Sequence, residues 1–425
     1  MREDFLQYLW KYGKIPQSCT LTSGENLSIL SVGECNRLSG PDFFNARLQI
    51  GEQLWAGNVE IHLKSSYWYA HRHEQDKTYN NVILHVVWEH DVEIFNSNHQ
   101  TIPTLELKNQ IDIEIINKYE KLFLSKNNFI SCEKYYSKAD KMVSDSWNEL
   151  LFSERLKHKS DYVTKLLLQT HSDWEKVLFL MLLKNFGGTV NGDIFLEMGK
   201  AIDFSIIRKE KNIPLNLEAL FFGQSNLLSD KYEDFYFKNL SKEYEYLKSK
   251  YNLKSSVTSV YFSKLRPQSF PTIRLSQLAQ LYEKTESLFS KIIEIQEIND
   301  LKKIFSVSTS EFWETHYTFG KTSPKAKKKI TSSLVELIWI NTIVPIKYLY
   351  FKSIGKDISK SLMMSLQNIA PEKNTIIEKF CTLGKHSESA FDTQIILQQY
   401  KNYCLPKRCL DCAIGIFLLK DEPIV

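Results

Sequence analysis

Apolar residues change their spacing along this chain near residue 125. Before that point they alternate with polar ones, or run in short blocks broken by turn residues. After it they recur every three to four positions over long stretches. Residues 27–32, 43–51, 54–56 and 58–65 read as strands, with turn signals at Ser23-Gly24 and Gly51-Glu52. Residues 81–88 form an almost unbroken apolar run interrupted by His85, the pattern of a strand buried on both faces. Residues 91–107 add one or two short strands. Residues 3–12 read as an opening helix, with Phe5, Leu6, Leu9 and Trp10 at helical spacing. From Ser146 onward the period is helical over 146–170, 172–186, 215–222, 274–294, 332–341 and 389–403. The pattern predicts an α+β chain, with a β-rich module over 1–125 and a large, mostly α-helical region over 126–425.

A length of 425 residues suits two or three domains, because single cores rarely grow beyond roughly 250 residues. Hydrophobic and charged contents of 43% and 24% are those of a soluble globular protein. A net charge of +4 permits a nucleic-acid partner without requiring one. The N-terminus lacks the basic-then-apolar layout of a signal peptide, and no apolar run reaches the roughly 20 residues of a bilayer span. The seven cysteines are odd in number and bunched near the end, unlike a secreted disulfide framework. A cytoplasmic protein without a membrane partner is expected; protein partners are not indicated. No phosphate-binding Gly-rich loop with Lys-Ser/Thr, dinucleotide glycine fingerprint or Gly-x-Ser-x-Gly elbow occurs, so ATP hydrolysis, Rossmann-type redox work and serine-hydrolase chemistry lack support.

Six of the ten histidines fall between His62 and His99. In the strand over 58–65, alternation puts Glu60, His62 and Lys64 on one face and Val59, Ile61 and Leu63 on the other. A carboxylate, an imidazole and an ammonium so placed can hold a metal, position a water and stabilise negative charge. His71, His73 and Asp76 follow on an expected loop. His85 emerges from the apolar strand, either as a satisfied core residue or as a further member of the site. His90 and His99 are expected at the surface.

Pro41-Asp42 at a strand start, followed after a hairpin-length gap by Glu60-x-x-x-Lys64, resembles the signature of the PD-(D/E)xK nucleases. That resemblance implies that Asp42 and Glu60 bind Mg²⁺ and that Lys64 orients water or stabilises charge. This chain departs from the pattern, with His62 rather than an acid two positions before the lysine. A histidine ligand brings Mn²⁺ or another borderline metal into play. Five segments together resemble a bacterial family of unknown function, number 2851. They are residues 40–46 (GPDFFNA), 57–66 (GNVEIHLKSS), 79–87 (YNNVILHVV), 266–279 (RPQSFPTIRLSQLA) and the final cysteine segment. The resemblance runs nearly end to end and implies no established activity.

Cys404, Cys409 and Cys412 put three thiols within nine residues. With a fourth ligand from Cys132, Cys381 or His386, Cys132 being preferred, they suit Zn²⁺ or an iron–sulfur cluster; otherwise they are reduced, packed thiols. Arg266 and Arg274 flank a proline-stiffened loop leading into a helix, which suits a phosphate or carboxylates between helices. The lysine run at 325–329 reads as a solvated helix start or a phosphate contact. The leading expectation is a metal-dependent phosphodiesterase acting on nucleic acid. In it Asp42, Glu60, His62 and His71 are metal ligands, and Lys64, His73, Asp76 and His85 complete the catalytic set. The alternatives are a non-catalytic nucleic-acid- or protein-binding scaffold with a structural metal, and a metal-dependent hydrolase of another bond.

Overall fold

The structure is a computed structural model that describes residues 1–36, 38–123, 128–143, 145–213, 215–254 and 259–420. The chain is α+β, as its periodicity predicts. It divides into two compact units. The first comprises Met1–Trp147, Lys379–Lys385 and Gln399–Val425, and the second Asn148–Glu378 and His386–Gln398. The C-terminal cysteine segment thus belongs to the unit that holds the sheet.

The first unit opens with helix α1 (Glu3–Lys11), whose Phe5, Leu6, Tyr8, Leu9 and Trp10 are buried. Its acids Glu3 and Asp4 lie in the first turn and Lys11 in the last, the charge order that complements a helix dipole. The strands are β1 (Ser18–Thr20), β2 (Asn26–Ser31), β3 (Glu34–Cys35), β4 (Phe43–Ile50), β5 (Gln53–Lys64), β6 (Val82–Glu89) and β7 (Thr104–Glu106). They form one sheet in the order β1-β2-β4-β5-β6-β7, with β3 paired to β4.

The β4–β5 hairpin turns at Gly51-Glu52 as expected, with Ile50 opposite Gln53. The two predicted strands at 54–56 and 58–65 are one continuous strand. Gly57 permits this: a Cβ there would lie 2.4 Å from Ile83 Cγ2 and 2.6 Å from the Asn81 carbonyl oxygen. Only a residue without a side chain lets the neighbouring chain approach so closely.

β6 runs parallel to β5, and β7 parallel to β6. A parallel pair requires a crossover. The one between β5 and β6 is built from α2 (Tyr67–Ala70) and two 3₁₀ turns, His73–Gln75 and Lys77–Tyr79, where the sequence suggested a loop. Trp68, Tyr79, Val82, Ile94 and Ile102 pack as a cluster beneath it. β6 is buried from Val82 through Val87, in agreement with its nearly unbroken apolar pattern.

The second unit is largely helical. Its elements include Trp174–Ala201, broken at Gly188 where φ is 61°, and Asn216–Gln224. The period over 274–294 resolves into two helices, Pro271–Lys284 and Leu288–Glu294, because Ser287 adopts a left-handed conformation between them. The run Ser332–Ser353 is continuous through a π turn. It is long and apolar enough to cross a membrane, with mean hydropathy 1.3 over its most apolar 18 residues, yet 61% of that window is buried inside the protein. Within it Lys347 is buried and donates to the carbonyls of Ile292 and Ile293, which makes it a core helix of a packed domain. In the basic run, Lys328 is also buried, with its ammonium on the Trp313 and Glu314 carbonyls. That lysine is neither solvated nor free for phosphate.

Candidate functional site

The polar groups of the first unit converge where β4, β5, β6 and the β5–β6 crossover meet. Asp42 immediately precedes β4. Its backbone N–H donates to Glu60 Oε2 at 3.1 Å, and its carboxylate accepts from the Ile61 N–H at 3.0 Å and the Gln7 side chain at 2.9 Å. The first of those bonds holds one oxygen of Glu60. The other, Oε1, stands 3.4 Å from both His62 Nε2 and His73 Nε2.

Strand alternation puts Glu60 and His62 on the same face. Parallel pairing sets His85 beside Glu60, and His85 Nε2 lies 2.9 Å from His62 Nδ1. That contact leaves His62 Nε2 directed at His71 Nδ1, 3.1 Å away. Ring nitrogens of His62, His71 and His73 all lie within 4.8 Å of one another. The aromatic cluster fixes the third ring: His73 stacks on Tyr79 with centroids 3.8 Å apart and meets Trp68 edge-on at 5.3 Å.

The charge balance is one-sided. Glu60 is buried and Asp42 half-buried, and neither forms an ion pair with lysine or arginine among the described residues. Burial raises the pKa of both carboxyls; the Glu60 charge raises Asp42 further, and Glu3 raises Glu60. Glu3 itself, from the first turn of α1, is pushed up to about 7 by burial and then by Asp42. Burial, followed by neighbouring imidazoles, lowers His62 to about 3 and His85 well below its usual range; burial also lowers His73.

Two buried ring nitrogens, His73 Nε2 and His85 Nδ1, have no hydrogen-bond partner among the described residues, the 3.4 Å approach of His73 to Glu60 being poorly aligned for one. The result is a cluster of imidazole nitrogens and buried carboxyl groups without a lysine or arginine partner among the described residues. Such groups are costly to bury alone, and a divalent ion reverses the penalty. His71 is the exposed member, so the group is reachable from solvent.

The structure therefore gathers Asp42, Glu60, His62, His71, His73 and His85. It leaves the other predicted members elsewhere. Lys64 shares the face of β5, but its ammonium sits 3.5 Å from Glu89 across the parallel pair and is well exposed. Asp76 is fully exposed and caps a 3₁₀ turn, its carboxylate accepting from the Thr78 backbone and hydroxyl. His85 stands behind His62, with its one paired nitrogen already turned to that ring. In the second unit Arg266 is exposed, while Arg274 is half-buried on Gln277 and Ser269 and lowered to about 10 by burial. Neither arginine forms an ion pair among the described residues, so the expected pairing with carboxylates is not made. Cys132, Cys404, Cys409 and Cys412 line another cavity of the first unit.

Sequence reasoning missed Glu3 and Gln7. Their four-residue spacing on α1 marks one polar stripe, but nothing local says that this stripe meets Asp42.

No curated protein and no solved structure matches the chain. A family model matches residues 3–375, a span that holds every residue of the histidine site and stops short of Cys404. The final cysteine segment, counted in the sequence among the segments of resemblance, thus lies outside the match. The chain belongs to the family described as protein of unknown function (DUF2851).

Proposed function

We propose that the histidine–carboxylate group is a divalent-metal centre and that the protein is a metal-dependent phosphodiesterase acting on nucleic acid. One observation carries the metal reading: three imidazole nitrogens lie within 4.8 Å of one another, with a Glu60 oxygen 3.4 Å from two of the rings. Glu60, His62, His71 and His73 would hold the ion. Three nitrogens and one oxygen suit Mn²⁺ or another borderline metal better than Mg²⁺, whose preference is for oxygen alone. When bound, such an ion supplies a Lewis acid and an acidified water.

The remaining residues have definable work. Asp42 orients Glu60 through its backbone N–H. His85 fixes the ring of His62 and so presents Nε2, the role that outer-layer partners play around ligating histidines. Lys64, at the open end of the same strand face, could stabilise negative charge on a phosphate only by leaving Glu89. The phosphodiester reading is supported by Asp42 at a strand start and Glu60 on the next strand, the arrangement for which the sequence resembles PD-(D/E)xK nucleases.

A second reading is a scaffold with a structural metal. It is favoured by the deep burial of His62, Glu60 and His73, which leaves His71 as the exposed ligand. Calorimetric titration with Mn²⁺ and Zn²⁺, together with cleavage of labelled single- and double-stranded DNA and RNA, separates the two. Tight binding abolished by Glu60→Gln and His71→Ala, with cleavage lost in the same variants, is the expected result. Tight binding with every substrate intact would favour the scaffold, and no binding of either ion would defeat both.

A further inference from the structure

We infer that Cys132, Cys404, Cys409 and Cys412 ligate an iron–sulfur cluster that ties the C-terminal segment of the first unit to its N-terminal module. Cys132 is far from the other three in the chain, yet all four line one small cavity, together with Ile130, Ser131, Gln399, Tyr403 and Gly415. Cys132 precedes the 3₁₀ turn Glu133–Tyr135, Cys404 ends the π turn Tyr400–Cys404, and Cys412 precedes the helix Ala413–Leu418. Cys132, Cys409 and Cys412 are buried, Cys404 is half-buried, and none is in a disulfide.

Three features set the group apart from packed apolar thiols. First, thiols from two distant stretches of the chain converge on that one cavity, and none is in a disulfide. Second, Gln399 lines the cavity, and its buried Nε2 has no hydrogen-bond partner among the described residues. A buried amide donor without an acceptor is costly, and a sulfide or thiolate in the cavity would satisfy it. Third, the backbone is held tightly at the Cys-x2-Cys turn. A Cβ at Gly415 would lie 2.0 Å from the Cys409 carbonyl oxygen, so glycine is required for the approach. Arg2 and Lys407 offer positive charge near Cys409.

The spacing of the sulfurs selects the occupant. Among the described residues, the group with donor atoms all within 4.8 Å of one another is His62, His71 and His73; no three of the cysteine sulfurs meet that limit. A single zinc with bonds of about 2.3 Å at tetrahedral angles needs sulfurs about 3.8 Å apart. A cluster carries its thiolates outward on separate irons and spreads them wider. Four cysteines complete either kind of site, so the spacing of the sulfurs is what decides.

The test is anaerobic purification of the full chain, with iron, zinc and acid-labile sulfide measured per chain. Visible absorption before and after dithionite, and the Mössbauer spectrum of ⁵⁷Fe-grown protein, complete it. Iron and sulfide in equal amount, with absorption that bleaches on reduction, are expected. Cys132→Ser, Cys404→Ser, Cys409→Ser and Cys412→Ser should each lose the iron, while Cys35→Ser and Cys381→Ser, at exposed positions, should keep it. The wild-type readouts stand even where a variant fails to fold. Stoichiometric zinc without sulfide would overturn the proposal. So would wild-type protein that stays iron-free after reconstitution with ferrous iron and sulfide, or iron retained in all four serine variants.

Discussion

His85 shows how one side chain can matter to a site without entering it. Its Nε2 occupies His62 Nδ1 at 2.9 Å, so the tautomer and ring angle of His62 depend on it. His85→Phe keeps the volume of a ring but removes that bond. Metal affinity should fall by about 10–100-fold, the usual cost of losing an outer-layer partner, as read by calorimetric titration with Mn²⁺ or Zn²⁺. Unchanged affinity would show that His85 is a core residue and nothing more. Lys64 is the opposite case. Its contact with Glu89 is an exposed ion pair, worth at most about 1 kcal/mol. Lys64→Ala should leave both metal affinity and thermal stability almost unchanged; a large loss of affinity would place its ammonium in the site after all.

At the scale of elements, β5 and the crossover after it make the site. Alternation along β5 supplies Glu60 and His62, the crossover carries His71 and His73, and parallel pairing brings in His85. All of this depends on β6 closing against β5 at Gly57. Gly57→Ala places a methyl where Ile83 and the Asn81 carbonyl already are, and should cost about 1–3 kcal/mol in urea unfolding, the range for overpacking. It should weaken metal binding as well, because register and site are set by the same pairing. A variant as stable as wild type would mean that the strand edge yields without strain. The hairpin, the buried strand and the helical stretches were legible as elements because each follows a local period. The crossover was not: residues 71–76 carry turn and charge signals, and their packing against Trp68 and Tyr79 is a long-range event.

For the whole molecule, the buried carboxyls and imidazoles predict how stability depends on pH when a chelator keeps metal away. Asp42 and Glu60 are raised to about 7 and about 8, chiefly by burial, and Glu3 to about 7. Between their ordinary values near 4 and these, the folded state holds protons that the unfolded chain has lost, so stability falls as pH rises. His62, His73 and His85 are lowered from 6.5, so the unfolded chain binds protons first and stability falls as pH drops below that value. The two effects oppose each other between about pH 4.5 and 6.5; above 6.5 the three carboxyls dominate, opposed only near pH 8 by Lys176 and Lys347, which burial lowers to about 8. Melting temperature should therefore decline from pH 6.5 to pH 8 in chelator, and Mn²⁺ or Zn²⁺ should reverse the decline. A melting temperature that rises over that interval, or that ignores the metal, would contradict the charge balance described here.

The sequence by itself determined the α+β class, the passage from strands to helices along the chain, the strand face of Glu60 and His62, and the buried character of β6. Each of these follows from a period of two or of about 3.6, which neighbours along the chain express without help. Only the tertiary structure decided which ionisable groups meet. It drew Asp42 to Glu60, delivered Glu3 and Gln7 from α1, and turned His85 onto His62. It also left Lys64 on Glu89 and Asp76 on Thr78, and brought Cys132 to Cys404, Cys409 and Cys412. Those outcomes depend on strand order, parallel pairing and packing between segments distant in the chain, which no local spacing encodes.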